Sequence, residues 1–150
     1  MIGDGRAVLQ HAKDQSYGLI IIDAFSSDVV PTHLLTLEAV KTYLQKLSTD
    51  GALVIHGTSR YYNFKPLLVA LARRLNVALL YGSDEAVNGN REQEMIYPST
   101  WFILTHNKNL VNEVTQAELW QNIDLSKETS EVLWTDDYAS QTALLKIRVH

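Results

Sequence analysis

The sequence predicts an α/β domain built on a largely parallel sheet, and three observations carry that reading. Short, unbroken runs of apolar and β-branched residues, Gly18 to Phe25 (GLIIIDAF) and Gly51 to His56 (GALVIH), look like strands buried on both faces. The segments between such runs place leucine and valine at helical spacing. The order strand, helix, strand, helix, strand is that of crossover units packed against a parallel sheet. At 150 residues, 46% hydrophobic and 20% charged, the chain has the size and composition of one globular domain.

The first strand ends in Asp23, and a loop carrying Pro31 follows it. Thr36 is placed to cap a helix whose Leu37, Val40, Leu44 and Leu47 share a face, with Thr49-Asp50-Gly51 as its stop. After the second strand, a second helix starts at Asn63 with Pro66 in its first turn and Leu67, Leu68, Leu71 and Leu75 on one side. Val77 to Tyr81 reads as the third strand. The polar stretch Gly82 to Ser99 is long for a connection inside a domain and reads as a lid or a disordered excursion. Thr100 to Thr105 is the fourth strand, and with no helix before it, it is expected to run antiparallel to the third. A helical piece is expected around Thr115 to Ile123, and a short last helix near Ser140 to Ile147.

Charge and composition exclude several classes of function. The net charge of −4 and the scattered lysines and arginines argue against nucleic acid as a partner. With no cysteine there is no thiolate metal site or thiol nucleophile, and five histidines without a His-x3-His pair give no metal case. No apolar run approaches the length of a membrane span and no signal-peptide pattern follows Met1, so the expected location is cytoplasmic.

In open α/β sheets ligands bind beyond the carboxyl ends of the strands, which directs attention to the residues found there. Asp23 is placed to act as a general base or to grip a cationic amine; the alternative is an acid that caps loop amides. Asp28 either joins it in a carboxylate pair or sits in a solvated turn. His56, followed by Arg60, Tyr61 and Tyr62, either lines a pocket or is a hydrogen-bonded residue of the strand end. Asp136, Asp137 and Tyr138 form a polar cluster that also fits a helix N-terminus.

Three segments carry a family resemblance. Met1 to Leu9 (MIGDGRAVL), Tyr17 to Thr36 (YGLIIIDAFSSDVVPTHLLT) and Trp134 to Tyr138 (WTDDY) resemble the spermidine synthase family, most nearly the branch fused to multi-spanning transporter-like segments. The resemblance implies a methyltransferase-like Rossmann fold and aminopropyl transfer from decarboxylated S-adenosylmethionine, as co-substrate rather than tightly bound cofactor, to a polyamine such as putrescine. It implies that Asp4 contacts the nucleoside, that Asp23 deprotonates the attacking amine, and that Asp28 and Tyr138 help to bind substrate. The family run is Asp-x-x-Asp-Pro, whereas Asp28 stands five positions after Asp23 and Val29 replaces the proline.

In that family the glycine-rich turn and the ribose-binding acid lie upstream of Gly-Asp-Gly, which here is Gly3 to Gly5. The resemblance thus implies a single domain, 1–150, forming the C-terminal portion of a synthase-like Rossmann domain. Its four strands would be the equivalents of 4, 5, 6 and 7 in the order 3-2-1-4-5-7-6, and activity would need the N-terminal half. The strand Leu19 to Ile22 would then expose an edge to be met by a homo-oligomer or a separate N-terminal half. Two other readings are an interaction or scaffold domain without catalysis and an S-adenosylmethionine-dependent methyltransferase-like enzyme.

Overall fold

Two apolar runs, one after the other in the chain, pair side by side and set the frame of the molecule. A computed structural model describes residues 4–24, 31–83, 98–118 and 120–146. Strand β1 (Tyr17–Ile22) lies parallel to β2 (Leu47–His56), with Ile20 beside Leu53 and Ile22 beside Ile55. The connection between them is a 3-10 turn (Thr32–Leu34) and helix α2 (Leu37–Lys46), preceded in the chain by a short helix α1 (Gly5–His11). Thr36 caps α2 as expected, its Oγ1 accepting from the Ala39 amide at 3.2 Å. The helix stops earlier than the sequence suggests: Leu47 is already in β2, which begins four residues before Gly51.

Helix α3 (Lys65–Leu75) carries Pro66 in its first turn and ends at Asn76, whose left-handed backbone (φ 54°) closes the last turn. Strand β3 (Ala78–Ser83) follows, and then β4 (Thr100–Thr105) returns antiparallel between β2 and β3. The sheet order is β1-β2-β4-β3-β5, where β5 is the two-residue strand Gln121–Asn122. The first four strands thus stand in the expected 4-5-7-6 arrangement. The third strand does not adjoin the second, because β4 separates them.

The core lies mainly on one face. Ile20, Ile22, Leu53, Ile55, Leu79, Phe102 and Leu104 meet Val40 and Tyr43 of α2 and Leu67, Leu68 and Leu71 of α3. Trp134 and Leu144, from the chain after the sheet, are buried in the same cluster. The opposite face is covered in part by helix α4 (Lys108–Gln116), whose Leu110, Val111 and Val114 pack with Ala52, Leu80 and Ile103. That cover does not reach β1, where Leu19 and Ile21 remain 52% and 55% exposed.

Two expected helices differ. The piece placed at Thr115 to Ile123 is α4, which runs earlier because Asn107 caps it by accepting from the amides of Asn109 and Leu110. The last helix is reduced to a 3-10 turn (Gln141–Leu144). No helix among the described residues is long and apolar enough to cross a membrane.

Candidate active site

Parallel pairing of β1 and β2 puts their carboxyl ends side by side, and the first polar residues past the apolar runs face each other. His56 Nδ1 and Asp23 Oδ1 are 2.7 Å apart, and His56 Nε2 lies 2.7 Å from Thr58 Oγ1. The Thr100 amide donates to the same Thr58 oxygen at 2.7 Å, which ties the start of β4 to the group. The imidazole also stacks on Trp101, with centroids 4.4 Å apart and planes at 22°. His56 therefore has a partner on each nitrogen and a ring against one face, while the Asp23 side chain is 58% exposed.

An ionised carboxylate only accepts hydrogen bonds, so Nδ1 must donate to Asp23. Thr58 Oγ1 accepts from the Thr100 amide, and with its own hydrogen and a second lone pair left it can either donate to Nε2 or accept from it. Every bond in the chain is satisfied with Nδ1 as the donor to Asp23. Among the described residues Asp23 Oδ2 has no hydrogen-bond partner, so this oxygen is open to a ligand's N–H. Beside the group lies a cavity of about 420 Å³, lined by Thr58, Thr100, Tyr62, Tyr81 and Lys146 among others.

A second cluster forms at the N-terminus of α2, also at the carboxyl end of the strands. Arg6 grips Asp136 with two bonds, Nη1 to Oδ1 at 2.8 Å and Nη2 to Oδ2 at 2.5 Å, and donates to the His33 carbonyl at 2.8 Å. Thr36 Oγ1 donates to Asp136 at 2.7 Å, and the Asp136 amide donates to Glu38 at 2.9 Å. The bonds from Arg6 and Thr36 hold the Asp136 carboxyl below its ordinary range. The Tyr43 hydroxyl, buried nearby without a hydrogen-bond partner among the described residues, is pushed up to about 12 by desolvation. Tyr138, 66% exposed, lines a cavity of about 340 Å³ here together with Arg6, His33, Thr36 and Asp136.

No family model matches the chain. A segment of 65 residues is 38% identical to the polyamine aminopropyltransferase of Vibrio vulnificus, covering 41% of this chain and 22% of that protein. A probable spermidine synthase from Corynebacterium glutamicum superposes over 93% of the chain and 54% of its own, with a TM-score of 0.59 and 15% identity. The fold is similar to that of spermidine synthases. The chain spans about a fifth of the length of the curated aminopropyltransferase and about half of the solved synthase.

Within this synthase-like fold the residues singled out from the sequence separate. Asp23 stands at the carboxyl end of β1, joined to His56. Asp28 lies outside the described residues, as does most of the stretch Gly82 to Ser99. Asp4 is the N-cap of α1, its Oδ1 accepting from the amides of Arg6 and Ala7, and its Oδ2 is 3.1 Å from His33 Nε2. The Ala7 amide bond is foremost in holding its carboxyl below the usual value. Among the described residues no bond links Asp4 to Asp23; it belongs instead with the Tyr138 cluster, through Arg6 and His33.

Asp136 does not start a helix of its own, since it binds Thr36 and Glu38 at the start of α2. Arg60 and Tyr61 are exposed, and Tyr62 lines the larger cavity. Thr58 and Trp101 were not singled out; the one signal for Thr58 was its place two residues past a strand-end histidine. No group of three or more metal-binding side chains occurs among the described residues.

Proposed function

We propose that the chain carries the amine-activating part of an aminopropyltransferase, acting with decarboxylated S-adenosylmethionine as co-substrate and a polyamine such as putrescine as acceptor. The observation that carries this reading is a carboxylate, Asp23, held at the carboxyl end of β1 with one oxygen bound by His56 and the other without a partner among the described residues. In the reaction the acceptor nitrogen, as the free amine, uses its lone pair to form a bond to the aminopropyl carbon beside the sulfonium. The carbon–sulfur bond breaks with its electron pair going to sulfur, methylthioadenosine leaves, and the nitrogen gives one proton to Asp23. Before that step a cationic diamine is attracted to the same carboxylate. The identity to the Vibrio segment and the likeness of fold support this assignment.

Asp4 and Tyr138 are assigned to nucleoside and substrate binding around the Arg6 cluster, and Asp28 to anchoring the amine. The reading includes a cytoplasmic location and kinship with the branch fused to transporter-like segments, the latter resting on Trp134 to Tyr138. The exposed row on β1 favours a pairing role as well, with a second copy or a separate N-terminal half as partner.

The test is transfer of the aminopropyl group to putrescine, together with calorimetric titration with methylthioadenosine. Asp23→Asn is expected to lower kcat on the order of 100-fold while nucleoside binding persists. Full activity in that variant would remove Asp23 as the base. Methyl transfer from S-adenosylmethionine in place of aminopropyl transfer would redirect the reading to a methyltransferase. Binding of neither nucleoside would leave the interaction role.

A further inference from the structure

We propose that His56 is the positioning residue for Asp23, donating to it from Nδ1 and held in place at Nε2 by Thr58. The inference rests on the aminopropyltransferase reading only for its catalytic consequence; the hydrogen-bond arrangement can be tested without it. Four observations converge. The 2.7 Å contact to Asp23 requires a donor at Nδ1, since the carboxylate has none to offer. Nε2 is met at 2.7 Å by Thr58, whose oxygen also accepts from the backbone amide of Thr100 and is thereby anchored to the start of β4. The Trp101 ring stacked on the imidazole fixes its plane. His56 ends β2 opposite Trp101 of β4, and Thr58, two residues past β2, is tied to Thr100 at the start of β4, so the donor is carried by paired backbone.

An exposed aspartate alone at a strand end turns freely about its side-chain bonds. A donor fixed on Oδ1 removes that freedom and points Oδ2 at one region of space, where the acceptor nitrogen is to be met. General-base transfer needs such placement, and misplacement by about 1 Å costs on the order of 100-fold in rate. The imidazole itself need not touch the substrate. Its part is to choose the orientation of the carboxylate, as the hydrogen-bond partner behind a metal ligand does.

Nitrogen-15 spectra of the histidine side chains in the full chain read the tautomer directly, with His56→Asn assigning the signal by its disappearance. The expected result is that Nδ1 of His56 carries a proton, and that this preference is lost in Asp23→Ala. Nδ1 without a proton in the wild type, or a proton there indifferent to Asp23, would overturn the proposal.

Two further variants separate the donor from the ring. His56→Phe keeps an aromatic face for Trp101 and has no donor, whereas His56→Asn keeps an N–H close to the position of Nδ1. Where transfer is measured, His56→Phe is expected to lose on the order of 100-fold in kcat with the KM for the amine little changed, and His56→Asn to recover most of it. Equal loss in both, or no loss in either, would count against positioning. If the chain transfers no aminopropyl group at all, the proposed function fails, yet the tautomer still decides whether His56 holds Asp23.

Discussion

Arg6 and Asp136 are 130 positions apart in the chain and form a two-pronged ion pair that pins the last segment to α1. The pair is partly open to solvent, 14% for the arginine and 43% for the aspartate, which limits its worth to about 1 kcal/mol or less. Its pH dependence has a definite sign. The Asp136 carboxyl is held below the ordinary 3.8, so the unfolded chain takes up this proton more readily than the folded one. The contribution is complete above the unfolded value and is lost as pH falls through the lower, folded value. Asp136→Asn is therefore expected to lose up to about 1 kcal/mol in urea unfolding at pH 7, with the gap from the wild type closing as the pH falls below the ordinary 3.8. A gap of the same size at both ends would show that the carboxylate charge is not what the cluster uses.

The turn that leads out of β2 depends on a missing side chain. A Cβ on Gly57 would stand 2.5 Å from the Phe102 ring, which is itself buried, and the Gly57 amide donates to the Thr100 carbonyl at 2.7 Å. Gly57→Ala must push Phe102 or the strand aside, and an expected cost of about 1–3 kcal/mol in thermal or urea unfolding follows from overpacking. The same displacement would move Thr58 and Thr100, so the His56 signal should shift in this variant even where the protein remains folded. An unaltered midpoint would mean that β2 and β4 are looser here than their pairing indicates.

These elements also show what could be read in advance. The apolar runs of β1, β2, β3 and β4 are each buried on at least one face, and their periodicity and length announced them as strands. Helix α1 buries no residue fully and β5 is only two residues long, so no apolar pattern marks them, whereas α4 gathers Leu110, Val111 and Val114 on one side and takes its start from the polar cap at Asn107. Asp23 and His56 could each be picked out as a polar residue ending an apolar run. Their contact could not, because it follows from the register that sets Ile22 beside Ile55, and an unbroken apolar run has no alternation to fix register.

The distribution of cover over the sheet has its own logic. One face is closed by α2, α3 and the segment holding Trp134, whereas on the other face α4 reaches β3, β4 and part of β2 and leaves β1 bare. Among the described residues β1 is at the same time the edge strand, so its outer backbone groups and its Leu19 and Ile21 side chains are left uncovered by them together. Natural edge strands are commonly blunted by charge, proline or a bulge, and YGLIII has neither charge nor proline.

Such a strand favours a partner, and the self-pairing form of the proposal predicts an average mass by light scattering that rises with concentration toward twice the monomer. Lysine at both Leu19 and Ile21 should hold the protein monomeric with little change in thermal midpoint, because both side chains are already largely in water. A wild type that is monomeric at every concentration would exclude pairing between copies. A partner at this edge would then have to be a different chain segment that brings its own strand.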